Sequence, residues 1–151
     1  MADYLLDLRK EIGSRPLVVA GACGIVLKDQ QMLFIQRSDN GLWGLPAGSV
    51  EINEHPKTTT CRELLEETGL VAEEKDLNLL NVFGGADFFY TYPNGDACSF
   101  VTSSYLIEKF SGEILKETDE STDCRFFPLD QLPKEVALHE LRIIEDFLEN
   151  K

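Results

Sequence analysis

Residues Gly48 to Leu70 read G-S-V-E-I-N-E-H-P-K-T-T-T-C-R-E-L-L-E-E-T-G-L. Pro56 suits the first turn of a helix, where its missing N–H does no harm, and Gly69 suits the residue just past the end of one. The stretch therefore predicts a helix from about Pro56 to Thr68. On that helix Glu63, Glu66 and Glu67 stand at i, i+3 and i+4, within roughly 100° of one another around the axis. The opposite face collects Cys61, Leu64, Leu65 and Thr68, a stripe fit to pack on a core. Like charges stacked this way destabilise a helix unless something positive lies among them. A divalent cation is the simplest such partner.

The residue types narrow the metal. The clustered ligands are all oxygens, with no histidine or thiolate at metal spacing, which favours Mg²⁺ or Mn²⁺ over Zn²⁺. Mg²⁺ commonly takes one or two carboxylates, several waters and the oxygens of a substrate phosphate. The chemistry that follows is metal-assisted phosphoryl transfer to water.

The same stretch resembles the Nudix box, G-x5-E-x7-R-E-U-x-E-E-x-G-U, with U a bulky aliphatic residue. Gly48, Glu54, Arg62, Glu63, Leu64, Glu66, Glu67, Gly69 and Leu70 fill every specified position. At ordinary residue frequencies, seven fixed letters match by chance on the order of 10⁻⁹ times per starting position. The resemblance implies an α+β fold: an α/β/α sandwich of a mixed sheet, with the box as a loop–helix–loop at the sheet edge. It assigns Glu63, Glu66 and Glu67 as metal ligands, joined by backbone oxygen near Ala47 and Gly48. Glu54 is placed to reach a metal water or to pair with Arg62. Arg62 is expected to orient carboxylates, a task its rigid guanidinium fork suits. Arg37 resembles the arginine of the family's Q-R pair, a phosphate contact or a partner for a box carboxylate. Many family members carry two glycines where this chain has Ala47-Gly48; if the first needed positive φ, Ala47 would be strained.

Family members often take a general base from a loop downstream of the box. Glu120, in D-E-S-T-D, is the candidate here, with Glu117 and Asp119 behind it. His55 and His139 are the only histidines, and no G-x-S-x-G elbow exists, so a Ser-His or Cys-His hydrolase is poorly supported. The aromatic group Phe88, Phe89, Tyr90 and Tyr92 suits a nucleobase stack or a core face, with core filling expected for most of it. Tyr90 is the member placed at the substrate, and Trp43 is either a pocket wall or a loop anchor.

The expected activity is hydrolysis of a diphosphate bond in a nucleoside diphosphate derivative: an NTP or dNTP, ADP-ribose or a nucleotide sugar. Two rivals stand beside it. One is a Nudix-like domain that senses nucleotide without cutting it, although such domains usually lose box carboxylates and none is missing here. The other is an RNA 5′-end pyrophosphohydrolase. A formal net charge of −13 disfavours it, because gripping a phosphate backbone needs a basic surface. Neither the proline that marks ADP-ribose-type members, expected near Gly85, nor the tyrosine of dinucleoside-polyphosphate-type members, expected near Ala86–Phe88, is present. A homodimer is compatible with the family.

A length of 151 residues, 43% hydrophobic and 27% charged, suits one domain spanning 1–151 with no linker or repeat. The N-terminal residues do not read as a signal peptide, and the apolar run Leu17–Leu27 is too short for a bilayer. Cys23, Cys61, Cys98 and Cys124 lie far apart with no C-x-x-C pair, which suggests reduced packing residues in a cytoplasmic protein. Asp3–Ile12 predicts a helix with Leu5, Leu8 and Ile12 on one side and Gly13 as its stop. Strands are expected at Leu17–Leu27 and Met32–Gln36 around a Lys28–Gln31 turn, at Leu77–Phe83, and at Phe88–Tyr92 and Ser99–Ile107 around Asn94-Gly95. Gly41–Gly48 reads as an irregular loop and Arg125–Pro128 as a short extended piece. A last helix is expected over Glu135–Glu149, with Val136, Leu141, Ile144 and Leu148 facing the core.

Overall fold

The computed structural model describes residues 3–150. Eight strands form one mixed sheet: β1 (Leu17–Lys28), β2 (Gln31–Arg37), β3 (Trp43–Gly44), β4 (Ala47–Ser49), β5 (Asn78–Phe83), β6 (Phe89–Thr91), β7 (Ala97–Ile107) and β8 (Ser121–Pro128). The helices are α1 (Asp3–Ile12), α2 (Pro56–Thr68) and α3 (Leu138–Asn150). The spine of the sheet runs β3-β2-β1-β7-β5, with β8 on the other side of β2. The β1–β7 pair is parallel, from Leu17 opposite Cys98 to Val26 opposite Ile107, and the other pairs are antiparallel. Gly21 to Val26 of β1 are buried without alternation, as a strand covered on both faces must be.

Two apolar clusters lie on the two faces. Leu64 of α2 meets Val26, Leu33, Ile35, Tyr105 and Ile107 on one. Ile143, Ile144 and Phe147 of α3, with Leu5 of α1, meet Cys23, Ile25, Phe34 and Phe100 on the other. Adjacent residues of β2 thus point to opposite layers, and the expected α/β/α sandwich of the α+β class results.

The box helix keeps the bounds read from its sequence. His55 caps it, its Nδ1 accepting from the Lys57 N–H at 3.0 Å, and Gly69 closes it at φ 82°. The stripe is shifted, however. Leu65 is 51% exposed, whereas Thr59, Thr60, Leu64 and Thr68 are buried. The hydroxyls of Thr60 and Thr68 donate to Pro56 and Leu64 carbonyls one turn back, so their burial leaves no unpaired donor.

Other expectations need correcting. The β1–β2 turn is tighter than Lys28–Gln31, because those two residues pair and Asp29 and Gln30 make the turn at positive φ. Gly41–Gly48 is not irregular throughout. Away from their turn β1 and β2 separate, and the segment fills the gap: β3 pairs with β2 at Gln36 and Ile35, β4 with β1 at Gly21 to Cys23. The last extended piece begins at Ser121, not Arg125. The final helix starts at Leu138 rather than Glu135, since Val136 bridges to Trp43. Its inward face carries Glu140, Ile143, Ile144 and Phe147, while Leu141 lies on the outside. Among the described residues no helix is long and apolar enough to cross a membrane.

Candidate active site

The opening between β1 and β2 sets the site. One turn of α2 lies over β4, and the contact there is close: a side chain at Gly48 would overlap the Glu63 carboxyl. Ala47 and Gly48 belong to extended β4, and neither has a positive φ. Ala47 is therefore unstrained, and Gly48 is required for space rather than for a left-handed conformation.

Arg62 organises the box. Its Nε and Nη2 donate to the two Glu54 oxygens, each at 2.9 Å, and its Nη1 donates to Glu63 Oε1 at 2.7 Å. Nη2 also reaches the Ser49 carbonyl at 3.3 Å, and Glu66 lies 3.7 Å from Nη1. The Arg62 fork, helped by the Thr59 hydroxyl, holds the Glu54 carboxyl down to about 2 against a partial cost of burial. Glu54 is thus placed with Arg62, one of its two expected positions.

Glu63 is only 2% exposed, and burial raises its pKa even though Arg62 pulls the other way. Glu67 accepts from the Ala47 N–H at 2.9 Å. Burial, then repulsion from Glu63, lifts its carboxyl well above the ordinary range. Glu66 is the outward member, its side chain half exposed. Among the described residues no three ligating side chains already converge on one point. Yet the donor set is all oxygen: Glu63, buried and paired with Arg62, and Glu67, partly buried, repel one another. Such a set fits a hard divalent cation, whose binding would reverse both upward shifts.

Two hollows meet at this point. A cleft of about 370 Å³ is lined by Glu63, Glu67, Gly48, Arg37, Asp119 and Glu120, so the base candidate stands on the same cleft as the box. Glu120 lies just before β8, and its carbonyl accepts from the Ser38 N–H at 3.0 Å. Its negative charge contributes to the rise at Glu67. Adjoining the cleft is a smaller cavity of about 90 Å³ that shares Arg37, Ala47, Gly48, Glu67 and Tyr92 with it and is lined beyond them by Tyr90, His139 and Glu140. Arg37 therefore faces both. Its guanidinium pairs with Asp39, at 2.9 and 2.6 Å, and lies over the Tyr92 ring rather than on a box carboxylate.

The aromatic candidates separate. Tyr90 lines the cavity, with its hydroxyl accepting from Asn40 Nδ2 at 2.6 Å and its ring edge-on to Tyr92. Phe88 is buried in the core and Phe89 is exposed. Trp43 is a loop anchor: its ring packs edge-on to Phe127 at 4.9 Å, under the Arg125 guanidinium, and does not line the cavity.

Two cavity residues, His139 and Glu140 at the start of α3, were not assigned a role from the sequence. Burial, then Arg37, lowers His139 to about 4 and leaves it neutral at physiological pH. Burial raises the Glu140 carboxyl to about 7. The signal was present: Glu140 shares its helix face with Ile143, Ile144 and Phe147, and a carboxylate on an apolar face is unusual.

Known proteins resemble this chain in sequence and in fold. The sequence model of the NUDIX domain matches residues 16–147. A protein of Methanocaldococcus jannaschii named ADP-ribose pyrophosphatase is 37% identical over 128 residues, covering 83% of this chain and 70% of that one. The crystal structure of a MutT NUDIX hydrolase from Burkholderia pseudomallei superposes with a TM-score of 0.71 at 31% identity, covering 87% of this chain and 98% of that one. The NUDIX domain of Shewanella oneidensis NrtR, solved with ADP ribose, superposes with a TM-score of 0.64 over 98% of this chain and 96% of that one. At 24% identity it speaks to the fold alone. Because the match spans the sheet as well as the box helix, the chain belongs to the Nudix family, enzymes that hydrolyse pyrophosphate bonds.

Proposed function

We propose that this hydrolase acts with Mg²⁺ or Mn²⁺ on a nucleoside diphosphate derivative of the ADP-ribose class, releasing a nucleoside monophosphate by attack of water at phosphorus. The observation that carries the reading is the join between the two hollows: Glu67 and Arg37 line both the cleft and the aromatic cavity, and Glu63 lines the cleft beside them. A diphosphate at that join would leave its nucleoside in the cavity and its other half in the cleft.

A cation held by Glu63, Glu66, Glu67 and backbone oxygen near Ala47 and Gly48 would neutralise charge on the diphosphate oxygens and acidify a water. The protein's own groups supply the rest. Arg62 holds Glu63 in place, with Glu54 fixing Arg62 from behind. Arg37 meets the phosphate at the same join, with Asp39 holding its guanidinium. Glu120 takes the proton from the attacking water across the cleft.

The same proposal includes a cytoplasmic location, in keeping with four free cysteines, and a homodimer. Edge strand β5 leaves Leu79 and Val82 exposed beside Val101 of β7, an apolar surface that a second copy would cover. Sedimentation of the wild type against Val82→Glu tests it.

The activity is tested by phosphate release from a panel of ADP-ribose, nucleotide sugars, diadenosine polyphosphates and canonical and oxidised dNTPs. Metal-dependent turnover that disappears in Glu67→Gln supports the reading. Nucleotide binding without turnover on any of them would shift it to a sensor domain.

A further inference from the structure

We infer that Glu140 reads the nucleobase, accepting a hydrogen bond from an exocyclic amino group and so selecting an amino-purine over the purine that lacks it. This rests on the nucleotide reading above. Glu140 is 9% exposed, and its carboxyl lines the inner cavity. It is held from one side only. Oε1 accepts from the Leu45 N–H at 2.9 Å, and the backbone at Gly44 presses so close that a side chain there would overlap the carboxyl. No other hydrogen bond and no ion pair to Glu140 is formed among the described residues, and the neighbouring Arg37 is engaged by Asp39. A carboxylate offers about four acceptor sites. Burying one with a single donor is costly unless a ligand completes the set.

The surroundings define the ligand's shape. Tyr90 and Tyr92 form one wall, and His139 stacks on Phe100 beside them, with ring centroids 5.6 Å apart. Faces of this kind accept a flat aromatic ring. With His139 neutral, that ring need not be anionic. The edge it turns to Glu140 must then carry an N–H donor. Adenine offers its N6 amino group there; an N9-linked purine without that group carries no N–H on the edge and offers a carboxylate nothing to accept. The diphosphate end stays at Arg37 and the box, since both hollows share those residues.

The test compares AMP with purine riboside 5′-monophosphate by calorimetry, and ADP-ribose with its purine analogue lacking the 6-amino group by turnover, at about pH 8.5 where the carboxyl is ionised. Wild type and Glu140→Gln are measured together. The glutamine keeps an acceptor for Leu45 N–H and turns an amide N–H toward the base. The wild type is expected to bind AMP about tenfold or more tighter than purine riboside monophosphate, and the variant to lose or invert that ratio. Equal binding in the wild type, a preference for purine riboside monophosphate, an unchanged ratio in the variant, or no binding of either nucleotide each overturns the proposal. Should Glu140→Gln melt below the assay temperature, the wild-type ratio alone decides. AMP selectivity without turnover of ADP-ribose would refute the hydrolase reading while sparing the role of Glu140.

Discussion

Arg62 grips Glu54 by both carboxylate oxygens, with Nε to Oε2 and Nη2 to Oε1 at 2.9 Å each. The same guanidinium donates to Glu63, so a loop residue preceding the helix fixes the direction of a buried carboxylate within it. A lysine cannot span three acceptors in a plane. Arg62→Lys is therefore expected to lower kcat by roughly 10- to 100-fold with a smaller change in KM, as loss of an orienting contact does. Steady-state kinetics on the preferred substrate checks this; equal loss in KM and none in kcat would place Arg62 on the substrate instead.

Gly48→Ala places a methyl group where the Glu63 carboxyl now lies. Backbone conformation is no obstacle, because Gly48 is extended. The variant should fold with a lower Tm, a cost of about 1–3 kcal/mol from overpacking, and lose metal-dependent turnover. An active Gly48→Ala would show that Glu63 can move away without consequence.

Glu120→Gln removes the proposed base while leaving Glu63 and Glu67 in place. The expected fall in kcat is roughly 10²- to 10⁴-fold with KM nearly unchanged. Because Glu120 is exposed, melting should not shift by more than about 0.5 kcal/mol. Retained kcat would move the base to a box glutamate.

Glu140 makes stability depend on pH. Its folded pKa of about 7 stands above the ordinary 4.5, through burial partly offset by the Leu45 N–H. Between those values the native state keeps a proton that the unfolded chain has released, so stability falls as pH rises through the window. Glu140→Gln abolishes the term. The variant should match the wild type near pH 4.5 and exceed it above pH 7 by up to ~3 kcal/mol. Parallel melting curves at several pH values decide it; a constant offset would assign the difference to packing.

Much of the box was legible in the chain. The helix bounds Pro56 and Thr68, the stop at Gly69 and the pairing of Glu54 with Arg62, one of two partners the sequence left open, rest on contacts a few residues apart. Local hydrogen bonds and helical period are properties of sequence alone. Which carboxylate faces inward was not legible, because Glu63 and Glu66 differ only in where α2 lies on β4. The separate fates of Trp43 and Tyr90 depended likewise on strand pairing. Trp43 is drawn to β2 and Phe127, Tyr90 to β7 and the cavity, although both read as aromatic candidates for the substrate pocket.

The sequence by itself determined the family, the carboxylate set and its place on one helix, since spacing along a helix is fixed by 3.6 residues per turn. Tertiary structure decided how that set meets a substrate. The separation of β1 from β2 opens the cleft, and β3 and β4 wedge it. The docking of α3 then brings Glu140 to Leu45 from the far end of the chain. Such contacts depend on burial and on distances through space, which neighbouring letters do not encode.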